Sequence, residues 1–381
     1  MKKETNFDVI VCGGGAAGIM LCQALTKDAF FDHFSILLIE ADNKNQNDRT
    51  WCFWEEGEGQ WDDLIDRQWE RAQFLSKGFK TDFSLSPYRY KKLRGIDVYT
   101  SLYAQLEKAD NLTLLRSTVT ALNPEGDFCK VQTTNGLYRS KKVFSSIPHQ
   151  RFTQQKKYPV LQQHFVGWEV ETENPIFDPK TVVFMDFDLP QKNNTRFMYV
   201  LPYTPQKALV EYTLFSADLL PTAEYEQAIT DYLLQKKAGK FKIVEKEQGS
   251  IPMTAYDFAQ HNRPHLLHIG TAGGWTKAST GFTFKKTERK VAELVAFLKK
   301  EQPLNRFERK SKFHFYDLLF LDVLAKYNGD GNRLFTLMFR RNHPKRIFAF
   351  LDEQTSFFQE VLIMLSFPVG RFVRALLRRI L

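Results

Sequence analysis

Apolar and polar positions along the chain follow three successive rhythms, and each predicts a different kind of element. Val9-Ile10-Val11-Cys12 is an apolar run with no polar break, which predicts a buried strand. Gly13 to Gly18 interrupts it as a turn, Ile19 to Thr26 has helical spacing, and Ser35 to Glu40 is a second buried strand. Residues 7–40 therefore predict one βαβ unit. Asn43 to Asn47 is polar and loop-like, Leu102 to Lys108 predicts a helix, and Leu112 to Leu115 predicts another parallel strand.

From about Tyr158 the rhythm changes to aromatic-rich strands joined by short, turn-rich connections. These are His164–Val170, Val182–Phe187, Phe197–Leu201 and Ala208–Phe215, followed by a helix over Ala223–Gln235. The pattern predicts an antiparallel sheet inserted into the first domain. The buried-strand rhythm returns at Leu266 to Gly270, before a glycine-rich turn and a helix from about Phe284 to Lys300. Beyond about Phe313 the chain reads as helical, amphipathic and basic. The expected fold is α/β, in three parts. A discontinuous Rossmann-like domain covers 1–157 and 250–300, an antiparallel substrate domain covers 158–249, and a helical region covers 301–381.

The first turn carries candidate chemistry. Gly13-Gly14-Gly15-Ala16-Ala17-Gly18 fits GxGxxG, in which glycines permit a tight turn and close approach of a pyrophosphate to backbone N–H groups. It follows a strand, opens a helix, and precedes a second strand ending in Glu40, placed to bond a ribose 2′-hydroxyl. An acid there disfavours a 2′-phosphate, so FAD or NAD is expected rather than NADP. FAD is the stronger reading because a second glycine turn, Gly270-Thr271-Ala272-Gly273-Gly274, comes late in the chain. Flavoproteins of the FAD/NAD(P)-linked type close their cofactor site in that way. A helix starting after Ser279-Thr280-Gly281 would aim N–H groups at an anionic reduced flavin. For both turns the bland alternative is an ordinary strand-to-helix connection.

Composition sharpens this picture in two places. Among 381 residues there are 34 Phe, and the formal charge is +9. The stretch from Gly331 to Leu381 holds nine Lys/Arg against three acids, and so +6 of that excess. Such a basic, apolar segment fits nucleic acid or an anionic membrane surface, and no recognition motif favours nucleic acid. In Gly370–Leu381, helical spacing puts Arg371, Arg374 and Arg378 on one face and Val373, Leu376, Leu377 and Ile380 on the other. That helix either lies in a membrane interface or packs on the protein by its apolar stripe. The longest uncharged run there, Val361 to Gly370, is about half the ~20 residues a spanning helix needs. The first apolar run stops at glycines, so no secretory signal is expected. The four cysteines form no CxxC pair and the eight histidines have no ligand spacing, so neither a disulfide framework nor a metal is expected. A cytoplasmic protein peripheral to the inner face of the cell membrane is the resulting expectation.

Several dispersed motifs resemble, in order, those of the bacterial lycopene cyclase family. They are Asp48-Arg49-Thr50-Trp51-Cys52-Phe53-Trp54, Gln163-His164-Phe165-Val166-Gly167-Trp168, Val183-Phe184-Met185-Asp186-Phe187 and Tyr199-Val200-Leu201-Pro202. The series continues with Ala208-Leu209-Val210-Glu211-Tyr212-Thr213, Ile251-Pro252-Met253 and Ser279-Thr280-Gly281-Phe282. The resemblance implies FAD in its reduced form, with NAD(P)H as external reductant. It also implies redox-neutral closure of β-ionone rings on lycopene, a linear C40 polyene, giving γ-carotene and β-carotene. Glu211 matches the family's essential carboxylate, while the adjacent second acid is replaced by Tyr212. Burial on an apolar strand would raise the Glu211 pKa and keep a proton available.

Asp186 is a second candidate for proton transfer or positioning, or else a polar residue at a strand end. Arg49 is a candidate for flavin phosphate or ribityl oxygens, or else a surface ion pair. Of Trp51, Phe53 and Trp54, any could touch cofactor or substrate. The full cofactor set expected is Gly13, Gly14, Gly15, Ala16, Ala17, Gly18, Glu40, Arg49, Gly270, Thr271, Gly273, Gly274 and Gly281. A flavin-dependent monooxygenase or reductase acting on a terpenoid is the alternative enzyme, although those usually carry Gly-Asp where Gly270-Thr271 stands here. A flavin-binding membrane protein without catalysis is the non-enzymatic alternative.

Overall fold

The computed structural model describes residues 4–381. Its nucleotide-binding layer is a five-stranded parallel sheet in the order Leu266–His268, Lys142–Ser145, Val9–Cys12, Ile36–Glu40, Leu112–Arg116. Val9 to Cys12 are fully buried, as a central strand covered on both faces requires. Helix α1 (Ala16–Thr26) starts inside the glycine motif, three residues earlier than its apolar spacing predicts, so Ala16, Ala17 and Gly18 are helical. Helix α2 (Gly95–Leu106) packs beside it, through Val98, Leu102 and Leu106. The polar 119–140 stretch, unassigned by pattern, forms a small sheet of Val119–Glu125, Phe128–Thr133 and Leu137–Ser140, closed by Glu4–Asn6.

The second layer is a seven-stranded sheet ordered Phe241–Met253, Leu161–Thr172, Lys207–Ser216, Thr195–Pro202, Thr181–Asp186, Arg71–Ser76, Phe79–Ser84. The expected strands are present, but the layer is not confined to 158–249. Two of its strands come from residues 71–84, and its edge strand runs to Met253. It is also not wholly antiparallel, because Arg71–Ser76 pairs parallel with Thr181–Asp186. Pairing with a distant strand leaves no periodic trace, which is why the pattern missed it.

Alternation along its central strands gives this sheet two different faces. Val166, Val170, Met198, Val200, Val210 and Leu214 pack under helix α3 (Thr222–Gln235) as a closed core. The opposite face, with Phe165, Phe197, Tyr199, Leu209, Glu211, Thr213 and Phe215, looks into a cavity. A three-stranded sheet, Thr50–Glu56, Tyr88–Arg94 and Ile65–Trp69, joins the two layers.

Helix α4 (Phe284–Leu298) returns to the nucleotide layer and packs on α1. The remaining chain forms α5 (Lys312–Lys326), α6 (Gly331–Arg341), α7 (Pro344–Leu351), α8 (Phe357–Ser366) and α9 (Val369–Ile380). Of these, α6 and α7 cover the cavity. Phe339 stacks on Phe74 at 4.4 Å between ring centres, and Phe348 sits 5.5 Å from Phe184 and 5.0 Å from Trp54. Much of the phenylalanine excess is spent here. Buried Lys277 ties the late glycine turn to the helices through Asp317 at 3.0 Å and Glu353 at 3.1 Å.

Of the two arrangements open to the last helix, packing on the protein by its apolar stripe is not the one found. Arg371 bonds Asp330 and Arg379 bonds Asp322, while Ala375 is the residue it buries. Val369, Val373, Leu377 and Ile380 stay exposed, next to exposed Arg374 and Arg378. The apolar stripe is therefore not what packs α9 on the protein.

Candidate active site

One cavity of about 1070 Å³ runs from the glycine turns of the nucleotide layer to the aromatic face of the large sheet. At its first end the glycines divide into two roles. A Cβ on Gly14 would collide with the Tyr103 hydroxyl at 2.0 Å, and one on Gly18 with the Gly13 carbonyl at 1.9 Å. Those two residues hold the turn against its neighbours and do not line the cavity. Gly15 is different, since a Cβ there would meet no protein atom and the residue borders the cavity. Gly15 is also the N-cap of α1 and supplies no side-chain bond, so the first-turn amides of Ala16 and Ala17 are open toward the cavity. This cradle suits a pyrophosphate. Glu40 caps it by accepting a hydrogen bond from the Gly14 amide, and it too lines the cavity.

Across the cavity lie Gly270, Thr271, Thr276 and the 279–283 segment. Gly270 and Gly281 have φ of +60° and +74°, which favours glycine at both. Gly273 and Gly274 shape the turn from outside the cavity; a Cβ on Gly273 would meet the His268 carbonyl at 2.2 Å. The N-terminus of α4 follows, with no side-chain cap from Thr283. Arg49 lies exposed on the cavity rim, its guanidinium bonded only to the Asp48 carbonyl among the described residues, and so free to meet an anion.

The far end is a chamber walled by rings and aliphatic side chains. Phe184, Phe197, Tyr199 and Phe215 form its floor, and Phe335, Met338, Phe339 and Phe348 from α6 and α7 form its roof. Glu211 stands in that floor, 7% exposed, with Thr213 Oγ1 donating to its Oε1. No cation pairs with it among the described residues. Burial, and then the charge of Glu247, push its pKa up to about 8. The nearby Tyr90 and Tyr199 hydroxyls bond each other at 2.7 Å, and burial holds both far above the usual phenol range. The Cys52 thiol is pushed up to about 12 by burial. Apart from Glu247, the surroundings of Glu211 are thus neutral and apolar, and burial and that neighbouring acid both favour a carboxyl that keeps its proton near neutral pH.

The lycopene cyclase protein family matches residues 8–378. The chain belongs to the lycopene cyclase family. Two curated lycopene beta-cyclases are similar to it. The one from Pantoea ananas is 26% identical over 74% of this chain and 72% of its own length. The one from a Paracoccus species is 30% identical, but the chain spans only 36% of that relative's length. Among solved structures, a geranylgeranyl bacteriochlorophyll reductase-like protein from Thermoplasma acidophilum superposes with a TM-score of 0.66 at 12% identity. That match covers 98% of this chain and 99% of the other. The fold is that of FAD-linked flavoproteins.

Glu211 stands on the cavity floor, but the other candidate acid goes elsewhere. Simple alternation places Asp186 on the same face as Phe184. An irregularity between Val183 and Asp186 turns Phe184 and Met185 to the cavity and Asp186 to the α3 side. There its Oδ2 accepts from Tyr232 at 3.1 Å and Lys236 at 3.2 Å, and its Oδ1 accepts from the Asp188 amide at 2.9 Å. Asp186 does not reach the chamber, and the strand-end reading fits its contacts. Of the tryptophan motif, Trp51 and Trp54 line the cavity while Phe53 stacks on Phe284 behind it. His164 is held between Ser216 and Tyr225, and burial lowers its pKa to about 4. Pattern reading missed Glu247, Gln163 and the roof residues of α6 and α7. Strand pairing and helix docking bring these into place, and neither is encoded by local spacing.

Proposed function

We propose that this protein closes β-ionone rings on lycopene by alkene protonation, with Glu211 as the acid. The observation that carries the reading is a buried carboxyl, without a counter-ion, facing a ring-lined chamber that continues into a dinucleotide cradle. Gly15, Ala16, Ala17, Glu40, Arg49, Gly270, Thr271 and Gly281 would hold FAD along that cavity. Reduced by NAD(P)H, the bound flavin would supply negative charge close to the developing cation.

Protonation of the terminal trisubstituted alkene breaks the Glu211 O–H bond and forms a C–H bond. The tertiary cation draws in the neighbouring double bond, and loss of a ring proton leaves the new alkene. General acid catalysis of this kind contributes about 10²–10⁴-fold. The apolar walls exclude water that would trap the cation, and the π faces of Phe184, Phe197 and Phe348 lower its energy. The overall change is an isomerisation, with no net redox.

A polyene of this kind dissolves in bilayers rather than water. We infer peripheral attachment to the inner face of the cell membrane. The exposed Val369, Val373, Leu377 and Ile380 of α9, with Phe357 and Phe358 of α8 at 71% and 70% exposure, would enter the interface, and Arg374 and Arg378 would meet anionic headgroups. None of the described helices is long and apolar enough to cross a membrane. Leu377→Asp should weaken binding to anionic liposomes several-fold without lowering the melting temperature; unchanged binding would reject the attachment.

Incubating purified protein with lycopene and reduced FAD tests the reaction itself. Ring formation without reductant use beyond the initial flavin reduction supports the cyclase. Stoichiometric NADPH consumption would point instead to a reductase or monooxygenase.

A further inference from the structure

Tyr212, the residue after Glu211, has its ring buried on the α3 face. Another carboxylate reaches the chamber. Gly167 lies directly opposite Glu211 on one neighbouring strand and directly opposite Glu247 on the other. Residues in such a row project from the same face of a sheet, so Glu211 and Glu247 flank a position with no side chain. A Cβ on Gly167 would lie 3.1 Å from Glu247 Cγ and 3.3 Å from its Oε1. The Glu247 side chain therefore lies over Gly167, sharing the space with Leu209, and both acids line the same cavity.

The two surroundings are unequal. Glu247 accepts a 2.6 Å hydrogen bond from Thr50 Oγ1 and faces the ammonium of Lys92, which is itself bonded to Asp66 at 2.6 Å. Glu245 on its own strand and Glu169 on the Gly167 strand are its other charged neighbours. The first is bonded by Asn47 at 3.0 Å, the second by Lys207 at 2.7 Å. Glu211 has only the Thr213 hydroxyl, with Cys52, Tyr90 and Tyr199 as its titratable neighbours from the facing strands. Burial raises the pKa of both acids, and each has one hydroxyl donor that opposes the rise; only Glu247 also faces a cation, Lys92, which favours its charged form.

We propose that Glu211 and Glu247 form a proton-sharing pair across Gly167, in which ionised Glu247 is the positioning residue that keeps the single proton on Glu211. This rests on the cyclase reading for its chemistry. Glu211 gives its proton to the alkene carbon and becomes a carboxylate next to another, which raises its basicity. The proton released from the ring as the new double bond forms returns to it, so the pair ends the cycle with one proton and no electron is exchanged.

The test is an infrared titration of the full-length protein, following the protonated carboxyl band that Glu211→Gln removes. The wild-type band should disappear with a midpoint near pH 8. In Glu247→Gln the midpoint should fall by about one unit or more, and Glu247→Asp, which keeps the charge, should bring it back toward the wild-type value. Gly167→Ala, which puts a methyl where Glu247 rests, should lower it as well and serves if Glu247→Gln does not fold. A midpoint unmoved in the folded variants overturns the pair, whatever reaction the protein catalyses. With lycopene and reduced FAD, the alkaline limb of kcat should move with the midpoint while KM changes little. A shifted midpoint in a protein that forms no rings would keep the pair and reject the cyclase reading.

Discussion

Glu211 and Asp186 are acids buried in one sheet, and the sheet turns them to opposite fates. Asp186 faces α3, where Lys236, Tyr232 and the Asp188 amide occupy its oxygens. Glu211 faces the cavity, where one hydroxyl bonds it and rings surround it. Both are nearly inaccessible, at 1% and 7% exposure, so burial alone does not distinguish them. The partners do. A carboxylate given a cation and two donors is a structural anchor, whereas one left without a cation, among rings and beside a second acid, holds a proton that can be delivered.

That contrast can be broken at either acid. The largest effect is expected at Glu211: Glu211→Gln should lower kcat for cyclisation by about 10²–10⁴-fold while the flavin absorbance of the purified protein stays intact. A rate close to wild type would end its role as the acid.

Next comes pH. The reaction needs protonated Glu211, so kcat should fall as pH rises through about 8, approaching tenfold per unit beyond it. Asp186→Asn should leave that profile in place.

Asp186→Asn should instead cost about 1–3 kcal/mol of stability in denaturant unfolding, with kcat within about twofold of wild type. A large loss of kcat at full stability would return Asp186 to the catalytic machinery. The smallest effect belongs to Lys236→Met. Its ammonium is over a third exposed, so the loss should be at most about 1 kcal/mol.

The two ends of the cavity were not equally legible in the sequence. The cradle is local: strand, glycine turn, helix and Glu40 follow one another, and the spacing alone predicts their assembly. Glu211 was singled out by its match to a family motif, and the regular alternation of its strand agrees with its place on the cavity face. For Asp186 two readings were open, a proton-transfer candidate and a polar strand-end residue, and the irregularity after Val183, which turns it to the α3 side, leaves no trace in the spacing that could decide between them. Glu247 left no local signal. Its place beside Glu211 depends on two strands pairing with the same third one, a fact of topology rather than of spacing. The strands at 71–84 were missed for the same reason, and the roof of the chamber comes from helices whose apolar faces could have packed on any surface.

Deuterium incorporation tests the central claim most directly. If Glu211 delivers a solvent-exchanged proton to an alkene carbon and a different carbon loses one, then enzyme pre-equilibrated in D₂O and held in excess over lycopene ends, so that no recycled proton is reused, should place one deuterium in each new ring. Reductant consumption should not rise with product. Rings formed without deuterium, or one reductant consumed per ring, would contradict the account.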